Sequence, residues 1–328
     1  MTTDFDLTRT FGADTLQPAT VRTFYFIGVT TGGSSIRRVF PLWADELGLG
    51  EVLLVGIDLP LHAPAGQYRT VTDFIKNDPL SLGALVTTHK LDLFEAAGDL
   101  FDDIDPLATL MHEVSSISKR DGRLIAHAKD PISSGLALDA FIPPHHFADT
   151  GADLVVFGAG GSAIAIDWYL TRPERGVDRP RRVVVTNRSQ PRLDALRAVH
   201  DASGAETELL TAVAGEPTVN DGFLVDAPAG SVVINATGLG KDAPGSPLTE
   251  AAAFPHGSLV WDLNYRGDLV FLDQARAQER EGQLHVEDGW TYFVHGWTQV
   301  IAEVFDVEIP TVGPGFDRLS ALAASTKG

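Results

Sequence analysis

The 328-residue chain contains no cysteine. Disulfides, thiolate metal sites and cysteine nucleophiles are therefore excluded together, and the absence fits a cytoplasmic protein. Positive charge is also scarce: 25 Lys and Arg face 44 Asp and Glu, for a formal net charge of −19. Such a surface repels polyphosphate, so nucleic-acid binding would need a local basic stripe. The one candidate, "RPERGVDRPRR" at 172–182, is broken by Glu174 and Asp178 and reads as a solvated loop. Net charge does not govern a single cleft, so a small anionic ligand stays open. No apolar run reaches the ~18 residues that a membrane helix needs. The N-terminus, "MTTDFDLTRTFGADT", has neither the basic start nor the apolar core of a signal peptide. Residues 1–22 read as a loose leader, with order expected from Thr23. The expected partner is a small-molecule substrate, with no nucleic acid and no membrane, and the chain is expected as a monomer or homodimer.

What is present suits a soluble globular protein of about two domains at ~150 residues each. From Phe24 onward strands and helices alternate. "TFYFIGV" is a β-branched and aromatic run closed by Gly28. "SIRRVFPLWADELGL" spaces Ile36, Val39, Phe40, Trp43 and Leu47 as a helix does, with Pro41 expected early in it. "EVLLVGIDL" and "SLGALVTT" are further strands, each followed by a helical stretch, and "VSSISKRDGRLIAHAKD" reads as a hairpin turning at "KRDG". "SSGLALDAFIPPHHF" is a linking helix stopped by Pro143 and Pro144. The second half repeats the alternation, through "DLVVFGAGG", "RRVVVTNRS", "SVVINATGLG" and "SLVWDLNY". This pattern predicts an α/β protein of two domains: an open α/β substrate domain over 23–134 and a Rossmann-like domain with a parallel sheet over 135–289. A last helix, over about 290–328, is expected to pack back on or near the first domain.

"GAGGSA", Gly158 to Ala163, fits G-x-G-x-x-A between a strand and a helix. Gly158 makes the tight turn and Gly160 lets a pyrophosphate approach the backbone. Ala163 allows close helix–strand packing, and the helix N-terminus faces the anion. Ala159, Gly161 and Ser162 complete the loop. A tight turn without ligand would need the same glycines, so the strand–turn–helix–strand context carries the assignment. The next strand ends in Asn187, Arg188 and Ser189, with Arg192 near, where NAD-binding chains usually offer an acidic residue. A guanidinium pairs with a 2′-phosphate that a carboxylate would repel, so NADP is the expected cofactor.

Two charged residues stand at strand ends of the first half, where open α/β sheets place ligand sites. Lys90 follows "LGALVTTH", and Asp130 follows "LIAHAK". Singly, each has a plain explanation: Lys90 as a surface charge flanking a helix, Asp130 as an N-cap before Pro131. Together with the rest of the chain they resemble the shikimate and quinate dehydrogenase family, from about Thr23 to the end. "ALVTTHK" (84–90) lines up with the family's N-V-T-x-P-x-K, and "AHAKD" (126–130) with G-x-N-T-D. "GAGGSA" is similar to its cofactor loop, "NRS" to its phosphate clamp and "NATGLG" (235–240) to N-A-T-P-x-G. "VWDLNY" (260–265) resembles V-x-D-x-x-Y. The resemblance implies that Lys90 and Asp130 form the catalytic pair, that Asn235, Ala236, Thr237 and Gly238 help hold the cofactor, and that Tyr265 and Thr87 line the substrate. A lysine's reference pKa of ~10.4 leaves it charged at neutral pH, the acid needed in the reducing direction.

Departures from the family concentrate on the substrate. "GVTTGGSSIR" (28–37) keeps Gly28 and Ser34 of G-x-P-x-x-H-S-x-S-P, but Ile36 and Arg37 replace its second serine and its proline. Ser35 is a substitute donor, and Arg37 either pairs with a carboxylate or lies on the exposed helix face. Ala84 and Ala128 replace two asparagines, Val86 and Lys129 replace two threonines, and Ser115 stands for a third asparagine. The glutamine of the last helix lines up with Gly296, with Gln299 one turn on. His89, His127 and Tyr265 offer replacement polar contacts. A site built on amides discriminates strongly, so their loss implies another hydroxylated alicyclic acid or cyclic polyol. Two other readings remain at this point, an NADPH-binding sensor without turnover and a methylenetetrahydrofolate-dehydrogenase-like enzyme. A metal enzyme is not expected, since His145 and His146 lack a third ligand at useful spacing.

Overall fold

The computed structural model describes residues 9–241 and 243–327, so residues 1–8 of the expected leader lie outside the described residues. The chain divides into two compact units, one of residues up to Lys129 plus Gly296 onward, the other of Asp130–His295.

The first unit is built on seven strands: β1 (Thr10–Phe11), β2 (Thr23–Gly28), β3 (Leu53–Asp58), β4 (Ser81–Val86), β5 (Asp103–Ile104), β6 (Ser116–Arg120) and β7 (Arg123–His127). Their order is β1-β3-β2-β4-β6-β7-β5. β1 to β4 run parallel, and β6 and β7 form an antiparallel hairpin beside them. The hairpin turns at Asp121 (φ 51) and Gly122 (φ 77), the two positive φ values that match strand twist. β1 corrects one expectation: Thr10 and Phe11, inside the stretch expected to be a loose leader, add an edge strand along β3. A two-residue strand carries no periodicity, so no local pattern announces it.

Helices α1 (Ile36–Glu46), α2 (Ala65–Asn77), α3 (Lys90–Ala97) and α4 (Pro106–Met111) punctuate these strands. Pro41 is the sixth residue of α1, in its interior rather than early. All six residues of β2 are buried because helices cover both faces. Tyr25 and Ile27 point into a core with Tyr68, Val71 and Ile75 of α2 and Leu93 of α3.

The second unit opens with α5 (Asp130–Asp139) and α6 (His146–Thr150). It continues through β8 (Leu154–Phe157), α7 (Gly161–Thr171), β9 (Arg182–Asn187), α8 (Gln190–Ala202), β10 (Glu208–Val213), α9 (Pro217–Val225), β11 (Val232–Asn235), β12 (Leu259–Asp262), α10 (Val270–Gly282) and β13 (His285–Glu287). The sheet order is β10-β9-β8-β11-β12-β13, every pair parallel. Counted from β8 this is 3-2-1-4-5-6, the doubly wound order that binds dinucleotides where the strand order reverses. β8 and β11 are neighbours at that reversal. The sequence pattern missed β10 and β13, one half-exposed along an edge and one only three residues long.

The chain leaves the second unit within α11 (Trp290–Phe305) and ends with α12 (Pro314–Ala324), so the single last helix expected is two. Phe24 and Phe26, on the other face of β2, meet Trp297 edge-on at 6.1 and 4.9 Å. Trp43 of α1 donates from Nε1 to the Leu319 carbonyl of α12 at 2.8 Å.

Candidate functional site

In the second unit the glycine turn follows β8. Gly158 has φ +107, and a Cβ there would lie 2.5 Å from the Ala236 carbonyl oxygen. Only glycine meets both demands. Gly160 ends the turn as N-cap of α7, with no side-chain cap bond. A Cβ at Gly160 would find no atom within 4 Å. The turn thus leaves open space before uncapped helix N–H groups, the arrangement that accepts a pyrophosphate. Ala163 is fully buried behind it. At the end of β9, Asn187 turns back to the Ser189 carbonyl (3.3 Å), and Arg188 is exposed with no ion-pair partner among the described residues. Arg192 is half-buried on α8.

Asn235, at the end of β11, is spent internally. Its Nδ2 donates to Asp262 Oδ2 (3.2 Å), and its Oδ1 accepts from the Thr237 amide (3.1 Å) and hydroxyl (2.7 Å). Asn235 and Thr237 shape the loop, and any cofactor contact from Ala236 or Gly238 comes from backbone. Burial raises the Asp262 carboxyl to about 6, with the Asn264 amide and Asn235 opposing.

Asp130 begins α5, buried at 6% exposure, and its carbonyl accepts from the Ser134 hydroxyl (2.7 Å). Its carboxylate accepts a long bond, 3.4 Å, from Ser162 of the glycine turn, whose hydroxyl also lies 3.0 Å from that of Tyr292. Tyr292 was not anticipated, since nothing in the spacing of "GWTYFVHG" singles it out. Tyr265 packs against Trp290 and Phe293, with ring centroids 5.2 and 4.9 Å away.

In the first unit the ends of β2, β3 and β4 carry the other candidates. Lys90 is the first residue of α3; its amide donates to the Thr87 carbonyl (3.2 Å), and its carbonyl accepts from the Val114 amide (3.1 Å). Thr87 donates its hydroxyl to the Ile27 carbonyl (3.2 Å), passing close to Gly28. Ser34 is buried and Ser35 half-buried at the N-terminus of α1, and neither hydroxyl makes a hydrogen bond among the described residues. Gln299 is half-buried on α11.

Three expectations are corrected here. Arg37 is neither exposed nor turned to a ligand: at 6% exposure it donates to the carbonyls of Leu54 (2.9 Å) and Arg9 (3.2 Å) and to the Thr10 hydroxyl (3.3 Å). It ties α1 to β1 and β3, and Gly56 makes the room, since a Cβ there would collide with the Arg37 guanidinium. Ser115 accepts from the Lys129 amide (2.6 Å) and donates to the His127 carbonyl (3.4 Å), so it serves the backbone. His89 turns inward, 1% exposed, with Nδ1 3.0 Å from the Tyr68 hydroxyl, and burial lowers its pKa. Among the described residues no cluster of His, Asp or Glu could hold a metal ion, and no helix is long and apolar enough to cross a membrane.

Strand order and glycine turn define the class: a two-domain α/β chain whose second domain has the Rossmann-like, dinucleotide-binding architecture. No protein-family model matches the chain. It is 31% identical over 188 residues to the shikimate dehydrogenase (NADP+) of Symbiobacterium thermophilum, covering 57% of this chain and 60% of that one. The matched stretch thus spans less than two thirds of that relative. A shikimate dehydrogenase crystallised with NADP+ superposes with TM-score 0.68 at 19% identity, covering 94% of this chain and 97% of that one. A quinate dehydrogenase from Corynebacterium glutamicum with NAD gives 0.67 at 21%, covering 93% and 99%. The chain is thus similar over part of its length to a shikimate dehydrogenase and shares the fold of the shikimate and quinate enzymes.

Proposed function

We propose that the protein is an NADP-dependent oxidoreductase acting on a ring hydroxyl or ketone of a hydroxylated alicyclic acid or cyclic polyol. Lys90 is the proton-transfer group and Asp130 its acidic partner. The observation that carries this reading is the Asp130–Ser162 contact, which joins the aspartate to the dinucleotide turn inside one unit. Bound NADP would supply the hydride donor or acceptor. The N–H groups at the start of α7 hold the pyrophosphate, and Arg188 holds the 2′-phosphate. Lys90 Nζ gives a proton to the carbonyl oxygen in reduction and takes it from the hydroxyl in oxidation. Asp130 orients that ammonium and anchors a neighbouring hydroxyl.

The substrate differs from shikimate in how its hydroxyls are read. Ala84 and Ala128 are buried methyl groups where the family motif has amides, and the Ser115 hydroxyl is occupied by backbone. The hydroxyls of Ser34 and Ser35 at the N-terminus of α1 are left to receive a carboxylate or a hydroxyl.

The test is a panel of shikimate, quinate and cyclitols with NADP and NAD, on wild type and Lys90→Ala. We expect turnover of an alicyclic polyol with NADP, and a loss of about 10²–10⁴-fold in Lys90→Ala with NADPH binding retained. Efficient turnover of shikimate would remove the substrate assignment and leave the reaction class. NADPH binding without turnover of any polyol would make the protein a sensor and end the proposal.

A further inference from the structure

The three residues that lead into Asp130 are held by side chains from several segments of the first unit. His127 Nδ1 lies 3.3 Å from Asp105 Oδ2, and its Nε2 lies 2.9 Å from the Ser118 hydroxyl and 3.4 Å from Glu303. The Ala128 amide donates to Asp105 (3.3 Å), whose other oxygen caps α4. The Lys129 amide donates to Ser115 (2.6 Å), and its ammonium pairs with Glu303 Oε2 of α11 at 2.6 Å. Arg120 of β6 closes the network from the other side, on Glu303 Oε1 (2.9 Å) and on Asp306 (2.8 Å).

Position 129 is where the family motif has a threonine, and Lys129 turns its side chain to α11 instead. We propose that Lys129 and Glu303 are a positioning pair that fixes the backbone entering Asp130 and, one turn back along α11, the placement of Gln299. The inference rests on the function proposed above. Gln299 and Glu303 are four residues apart on one helix and so share a face. Both partners are mostly buried, with side-chain exposures of 15% and 20%. Burial pushes Glu303 up, but Lys129, His127 and Arg120 outweigh it and hold the carboxyl below its usual range. Glu303 is therefore ionised at neutral pH; Glu303→Gln takes the carboxylate from Lys129, Arg120 and His127 together, whereas Lys129→Met leaves Glu303 to Arg120 and His127 and releases residue 129 from α11.

The experiment uses the full chain with Lys129→Met, Lys129→Arg and Glu303→Gln. Deuterium uptake of the segment 124–131 is followed without ligand, alongside kcat and KM for NADP with the best polyol of the panel. We expect Lys129→Met and Glu303→Gln to raise uptake in 124–131 while the α2 segment stays as in wild type. We expect kcat to fall about ten-fold, as for a small misplacement, at unchanged KM for NADP. Lys129→Arg, which keeps the ion pair, should restore both. Wild-type uptake in 124–131 for Lys129→Met overturns the proposal. So does a general rise in uptake that Lys129→Arg does not repair, which would mark a merely structural pair. If wild type turns over no polyol, the proposed function fails by itself, and uptake alone decides whether the pair holds this segment.

Discussion

At the end of β8 in the second unit, a ligand would meet backbone: a glycine with φ +107, an open space at Gly160 and the uncapped start of α7. At the ends of β2 and β4 in the first unit it would meet side chains: Ser34, Ser35, Thr87 and Lys90. The two edges have diverged differently. The backbone edge keeps the glycine pattern: Gly158 answers a steric demand of the fold, Gly160 leaves open space, and a pyrophosphate reads N–H groups that any sequence supplies. The side-chain edge carries alanines at 84 and 128 and isoleucine at 36 where the motif it resembles has amides and a serine, and in the proposed function each such contact serves one substrate and is free to change with it. A dinucleotide turn therefore says little about substrate, and a diverged substrate edge does not weaken the cofactor reading.

The largest expected effect separates two glycines of the same turn. Gly158→Ala forces a Cβ against the Ala236 carbonyl in a left-handed backbone and should lose several kcal/mol of stability, with NADP binding lost too. Gly160→Ala should leave the unfolding midpoint within error and weaken NADP at least ten-fold by filling the pyrophosphate space; calorimetry and chemical denaturation read the pair. Should Gly160→Ala bind NADP as wild type does, the turn is a structural one.

In the first unit, Arg37→Met should cost about 2–4 kcal/mol in chemical denaturation by leaving buried carbonyls and hydroxyls without donors. It should leave KM for the polyol unchanged. A raised KM at wild-type stability would return Arg37 to the substrate site.

Asp262 gives a pH signature of the backbone edge. Its folded pKa, about 6, is raised by burial, so the stability it contributes is fully present below the unfolded carboxylate range and lost as pH rises through 6. Across pH 4 to 7 wild type should lose about 2 kcal/mol relative to Asp262→Asn. Equal pH slopes for the two would show the carboxyl to be ordinary.

The smallest effect is on cofactor choice. Arg188→Ala should lower the preference for NADP over NAD by about ten-fold, the worth of one charge-assisted hydrogen bond. An unchanged ratio would leave the choice of NADP to other residues.

Several features of the candidate site are legible because they are local. Gly158 to Ala163 lie within one strand–turn–helix, and Lys90 and Asp130 each begin a helix a few residues past a strand whose pattern is visible. Arg37 and Ser115 depart from the expectation, and Asn235 serves its own loop, for a single reason. Each spends its polar atoms on groups far along the chain or folded back on its own loop, as when Arg37 reaches the carbonyls of Arg9 and Leu54. Gly56 was the one available signal, a glycine in a strand that leaves space for a neighbouring side chain.

By itself the sequence determined the alternation of elements, the two-domain α/β class and the glycine turn, because periodicity and backbone sterics act over a few residues. Only the tertiary structure decided the strand order, the edge strand at Thr10, and which polar side chains remain to meet a ligand. Those outcomes depend on which distant groups come within hydrogen-bonding reach, and no local pattern encodes that.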